Sequence, residues 1–272
     1  MPFGRLRNTR MKAANPKTNV IPRWRWWAYF ILINLEVVWS GISGLLFLGS
    51  AHQATKASPS LKLLFTCSLQ MVVFGITFGL AVFLSHVSVE ELRLRWRGII
   101  RPFWQGAAYA VALPFVIWFL IEFMFRILAS LGLVAPFQMI DIAAASQRGG
   151  ERLISSSALQ HDRLFFWLCV TLVSFVFAGL REELWRSAFF AGVKALFPQT
   201  FESPLGQVWV VVLAAIVFGF AHSLMGPLAV LNAGLGGLGF GLIMLVHRSI
   251  WPAVIAHGLM DAVNMAITAH AR

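Results

Sequence analysis

The sequence is poor in charge: 12% of its 272 residues are Asp, Glu, Lys or Arg, and the 11 acids are half as many as the 22 bases. Soluble domains run near a quarter charged. The shortage, together with 58% hydrophobic residues and a mean hydropathy of +0.75, excludes an ordinary globular domain and leaves an all-α polytopic membrane protein. Cysteine is nearly absent. Cys67 and Cys169 each lie inside an apolar run, which excludes a disulfide framework and a CxxC metal site. There is no H-E-x-x-H, so a zinc-hydrolase pattern is missing too, and no cofactor is expected. The first apolar run lacks an A-x-A-like exit and follows a long Arg-rich stretch, so it reads as an uncleaved anchor.

What charge there is has a pattern. A net charge of +11 would suit a nucleic-acid partner. Its distribution argues against one: Arg5, Arg7, Arg10, Lys12, Lys17, Arg23 and Arg25 precede the first apolar run without an acid among them, and Arg93, Arg95, Arg97 and Arg101 share one loop. That is the positive-inside pattern of an integral protein of the cell's inner (cytoplasmic) membrane, with its N-terminus in the cytoplasm against anionic lipid. The partner it implies is the lipid bilayer, not nucleic acid.

Residues 1–24 read as a basic cytoplasmic arm and 25–272 as a single transmembrane helical domain. Spans are expected at about 26–49, 62–86, 106–133, 164–181, 206–224, 227–247 and 249–270, with a Ser/Lys/Pro loop after the first. An amphipathic piece at 187–198 makes an eighth membrane-associated helix, so the bundle has seven to eight. Residues 134–163 read as a polar outer loop. Gly234-Leu235-Gly236-Gly237-Leu238-Gly239 satisfies G-x-G-x-x-G, but no strand precedes it; Gly237 and Gly241 suit close helix approach instead. Gly41-Ile42-Ser43-Gly44 lies in the first span without a matching histidine motif. Glu122 and Arg126, one turn apart, read as a self-neutralising structural pair. Glu36 reads as a bundle-facing polar contact.

Three constellations remain, all in the C-terminal half. Glu182-Glu183-Leu184-Trp185-Arg186 follows an apolar run; Phe218 to His222 ends another; His257 and Asp261 stand one turn apart, with Asn264 a further turn on. Adjacent carboxylates at a membrane segment cost several kcal/mol each to desolvate, so they mark a site unless compensated. Arg186 compensates one of the two glutamates. A carboxylate and an imidazole converging on water can activate it, and a second imidazole can stabilise the oxyanion formed on a carbonyl. Interfacial salt bridging, a snorkelling histidine and a packing pair are the plain alternatives for the three motifs.

In this order the three motifs resemble the CAAX-protease and bacteriocin-processing (Abi) family of intramembrane glutamate endopeptidases, whose pattern is EExxxR, FxxxH and HxxxN or HxxxD. The likeness covers about residues 164–270, and Ser249-Ile250-Trp251-Pro252-Ala253 before His257 is also typical. It implies a metal-independent peptidase acting on a membrane-associated peptide or protein. Glu182 and His222 would activate water, His257 with Asp261 would stabilise the oxyanion, and Glu183 with Arg186 would form the supporting ion pair.

The spacing departs from the family: two residues, not three, separate Glu183 from Arg186. Alignment on the glutamates keeps Glu182 as base; alignment on the arginine puts Arg181 in that place. The first is preferred. An ionised Asp261 cannot donate to an oxyanion and would orient His257. Two other classes stay open: a non-catalytic scaffold or immunity-type relative binding a peptide or partner in the same cavity, and an ion-coupled transporter.

Overall fold

A computed structural model describes residues 21–46, 58–96, 98–133 and 135–271. Most of the basic arm and of the Ser/Lys/Pro loop lie outside them. Among the described residues the chain is helical throughout, with no strand. The elements are α1 (Arg23–Leu46), α2 (Pro59–Ser85), α3 (Arg101–Ser130), α4 (Pro136–Leu153), α5 (Ser156–His161), α6 (Arg163–Leu168), a π-helix (Cys169–Glu182), α7 (Glu183–Leu196), α8 (Pro198–Glu202), α9 (Pro204–Ala221), α10 (Pro227–His247) and α11 (Trp251–His270).

Helix starts are written in local chemistry. Ser58 and Ser203 accept the backbone N–H of Leu61 and Gly206, and Pro59 and Pro204 follow them directly. A proline costs nothing in a first turn, where its missing N–H would be unpaired anyway. Gly226, at φ 94, takes the left-handed backbone that turns the chain into Pro227 and α10.

Five helices are long and apolar enough to cross a membrane: α2, α3, the continuous rod Arg163–Leu196, α9 and α10. They coincide with five of the seven expected spans, and α1 and α11 pack into the same bundle. The fold is all-α and polytopic. On α2 and α3, large apolar side chains such as Phe65, Ile76, Phe115 and Trp118 face outward, as lipid-facing helices require.

Two expectations are corrected. Residues 187–198 do not form a separate amphipathic piece: α7 continues the π-helix as one 34-residue rod, and Trp185 through Val193 are buried. The apparent amphipathicity was a helix surrounded by others, with Ser187 donating to Leu92 O at 2.5 Å across the bundle. Residues 134–163 are not a loop but largely α4 and α5; the Ala-rich run 143–145 favours helix despite its polar neighbours.

Glycine lets the C-terminal helices approach. A Cβ on Gly219 would meet Val230 O at 2.7 Å, and one on Gly237 would meet the Phe218 ring at 3.0 Å and Arg186 Nη2 at 3.4 Å. The G-x-G-x-x-G run is therefore helix-packing surface, as read from sequence. Ser43, in the Gly-Ile-Ser-Gly run, donates to Ser40 O within α1.

The bundle has one basic end. Arg23 donates to Leu196 O, Ile250 N–H and the Trp251 indole donate to Arg93 O and Leu94 O, and Ser249 donates to Arg95 O. These contacts gather the start of α1, the α2–α3 connection, the end of α7 and the α10–α11 turn into one place. At the opposite end Ser60 donates to Asp162 at 2.6 Å, and Gln160 donates to Ala271 O at 2.9 Å.

Candidate active site

The diacidic stretch sits where the wide helix ends. A π-helix bonds i to i+5 rather than i to i+4, and such segments recur at functional positions. Glu182 is its last residue and Glu183 the first of α7. The helical pitch therefore changes between the two carboxylates, and they leave the rod toward different partners.

Glu183 turns inward. Its side chain is fully buried, in a close ion pair with Arg186, which is also fully buried. It also accepts a hydrogen bond from His257 Nδ1 at 3.0 Å. The Arg186 Nε and Nη2 have no hydrogen-bond acceptor among the described residues. The guanidinium is covered instead by aromatic faces, 4.6 Å from the Phe218 centroid and 5.8 Å from that of Phe240, where the ring quadrupole attracts a desolvated cation.

Glu182 faces the other side of the imidazole. Its Oε2 lies 3.7 Å from His257 Nε2, and Asp261 Oδ2 lies 3.9 Å from the same nitrogen. Both distances exceed a direct hydrogen bond. Phe240 stacks on the His257 ring at 4.4 Å between centroids and 18° between planes, fixing its orientation. Because a carboxylate only accepts, Nδ1 carries a hydrogen and Nε2 is the nitrogen presented to Glu182 and Asp261. Side-chain exposure falls from 35% at Asp261 through 16% at Glu182 to 10% at His257 and 0% at Glu183. The cluster thus opens on the Asp261 side and closes at the Glu183–Arg186 pair.

His222, at the end of α9, bonds through Nδ1 to Phe218 O at 2.9 Å, one turn back on its own helix. A carbonyl cannot donate, so Nδ1 is the protonated nitrogen and Nε2 of the neutral ring holds a lone pair. Among the described residues that nitrogen has no hydrogen-bond partner. The ring packs 4.7 Å from Phe218, which is 6.4 Å from His257, and Asp261 is within electrostatic reach of both imidazoles. The structure thus brings Glu182, Glu183, Arg186, His257 and Asp261 into direct proximity, with His222 across the Phe218 ring. Asn264 is exposed and outside this network.

Two members of the constellation are not in any of the three motifs. Arg181 reaches back to Glu36 of α1 at 2.9 Å and toward Gln70 of α2 at 3.5 Å, while its Nη2 stands 3.7 Å from Glu182 Oε1. Its guanidinium lies 4.0 Å over the Phe177 ring. The signal was present in the sequence as Glu36 in the first span, read as a bundle-facing polar contact. Its partner lay too far along the chain to name. Glu122 and Arg126 pair with each other at 2.8 Å on an exposed face of α3, apart from the cluster. Among the described residues no group of three or more His, Cys, Asp or Glu side chains is arranged to hold a metal ion.

The fold and this cluster define a helical membrane protein whose interior carries carboxylates and imidazoles from separate helices. Residues 164–263 match the family model described as Type II CAAX prenyl endopeptidase Rce1-like, the CAAX-protease family to which the three motifs pointed. No curated protein and no solved structure matches the chain.

Proposed function

We propose that the chain is an intramembrane, metal-independent endopeptidase that cleaves a membrane-associated peptide or protein. The observation that carries this reading is the His257 imidazole, held between Glu183 at 3.0 Å and Glu182 at 3.7 Å inside a helical bundle.

The roles follow from the ring nitrogens. His222 Nε2 and the Glu182 carboxylate take the proton from an attacking water. His257, with Nδ1–H on Glu183, presents Nε2–H as the imidazolium to the oxygen that becomes negative when water adds to the carbonyl. Asp261 only accepts when ionised, so its place 3.9 Å from Nε2 suits orienting that imidazolium. Glu183 and Arg186 anchor the ring from behind. When the tetrahedral adduct collapses, the proton taken from water goes to the leaving amine and leaves two peptide products. The basic end lies on the cytoplasmic side, in keeping with the positive-inside rule.

The test is cleavage of a membrane-anchored peptide library by the purified chain in lipid. Glu182→Gln, His222→Ala and His257→Ala should each lose roughly 100-fold or more, the usual scale of general acid–base catalysis. Full activity in all three variants sinks the proposal. The competing reading is a relative that binds peptide without cutting it, favoured by the shortened spacing between Glu183 and Arg186. It predicts peptide binding with no cleavage by the intact chain.

A further inference from the structure

The α10–α11 turn borders a cavity apart from the acid–imidazole cluster. α10 ends at His247, and Arg248 adopts a left-handed backbone at φ 49 to reverse the chain into α11. Against this turn packs the first turn of α3, which starts at Arg101 and has no side-chain cap. Between them is a cavity of about 180 Å³ lined by Arg101, Gln105, His247 and Arg248, with Val246 at its edge. Among the described residues its lining has two guanidiniums and an imidazole and no carboxylate.

The surroundings do not neutralise it. Of the acids at this end, Glu90 is paired with Arg95 and Glu91 accepts from Ser88 N–H at 2.9 Å, and Glu202 at the end of α8 is not among the residues lining the cavity. Behind the turn stands a third cation, Arg93, whose Nη1 is buried without a hydrogen-bond partner among the described residues. Burial and the nearby Arg248 charge hold its pKa down at about 10. The N-terminus of the 30-residue α3 adds the positive end of its dipole. On the outer side, Val246 (73% exposed) lines the cavity, and Trp104 (67% exposed) stands one turn on from Arg101 along α3.

We infer that this cavity binds the phosphate of an anionic phospholipid, with the acyl chains lying along the exposed faces of α3 and α10. Forked guanidiniums match phosphate oxygens in paired hydrogen bonds, and basic pockets between helices at a membrane face take anionic headgroups. Cavity size, sign and the exposed Val246 agree on a headgroup rather than a peptide side chain. Tyr109 donates to or accepts from His247 Nε2 at 3.0 Å, which holds the imidazole at the wall.

The experiment uses the full chain in a neutral detergent. It measures binding of phosphatidylglycerol and of phosphatidylcholine with the same acyl chains, by native mass spectrometry. The variant Arg101→Gln/Arg248→Asn removes both guanidiniums, with asparagine chosen because it tolerates the left-handed backbone. Arg101→Lys/Arg248→Lys keeps the charge, and Arg126→Gln on the far part of α3 is the control. Phosphatidylglycerol should bind at least about 10-fold more weakly to the neutral variant, corresponding to ~1.4 kcal/mol. The lysine variant should recover most of the loss, and the control should match the parent. Millimolar inorganic phosphate should displace the lipid only partly. The inference is overturned if both lipids bind alike, if the neutral variant holds phosphatidylglycerol like the parent, or if free phosphate alone accounts for all binding. None of these readouts depends on peptidase activity.

Discussion

Removing Arg186 while leaving Glu183 gives the sharpest check on the interior electrostatics. In Arg186→Met the long apolar stem is kept and the charge is lost, so Glu183, with no side-chain exposure, keeps only the His257 hydrogen bond. Breaking a buried pair from one side costs about 3–5 kcal/mol. For a chain of this size each kcal/mol is worth roughly 2–4 °C of Tm, so a fall of roughly 6–20 °C is expected. Glu183→Leu/Arg186→Met removes both charges and leaves only the His257 Nδ1 donor unpaired, at a cost of about 1–3 kcal/mol. The double variant should therefore unfold above the single one. The assay is tryptophan fluorescence during heating in detergent, at one scan rate because membrane-protein unfolding is kinetically controlled. A single variant within a degree or two of the parent, or a double variant no better than the single, refutes the reasoning.

Three further outcomes follow from particular contacts. Glu36→Gln should lower stability by about 1–2 kcal/mol, the scale of polar contacts between membrane helices, and Glu36→Arg/Arg181→Glu should regain at least half; no recovery in the swap would mean that the pair contributes nothing. The Ser60 hydroxyl and the Phe165 backbone N–H hold the Asp162 carboxyl below the usual carboxylate range. Its stabilisation is therefore full above about pH 4, the unfolded value, and is lost as pH falls through the folded one. The Tm gap between the parent and Asp162→Asn should be constant near neutrality and close toward acid, and a gap independent of pH would contradict this. Gly219→Val, which forces a side chain onto Val230 O, should cost about 1–3 kcal/mol by overpacking, whereas Gly75→Ala, with nothing within 4 Å, should cost far less; equal losses would deny the close approach of α9 and α10.

Much of the architecture was legible in the sequence because long apolar runs announce membrane helices. The segments containing Glu182, His222 and His257 could be chosen from their chemistry alone, because acids and imidazoles among apolar residues are expensive to bury. What could not be read was the pitch. A 100° step between neighbours assumes an α-helix, whereas Glu182 closes a π-helix and Glu183 opens α7; no residue pattern marks that change. Nor could sequence join Glu36 to Arg181, since their contact depends on how α1 lies against the rod. α4 was hidden for a different reason: its polar side chains masked the helical preference of its alanines.

The pairing of Glu36 with Arg181 also has a consequence for biogenesis. The two residues are separated by 145 positions, and a ribosome working at about 5–20 residues per second needs roughly 7–30 s to supply the second after the first. During that interval the leading hydrophobic segment carries a carboxylate whose counter-ion has not yet been translated. The nascent chain must keep that acid near water, or protonated, until the later segment arrives. Where that acid stays ionised, the first helix settles into the bundle only after the segment carrying Arg181 has been made.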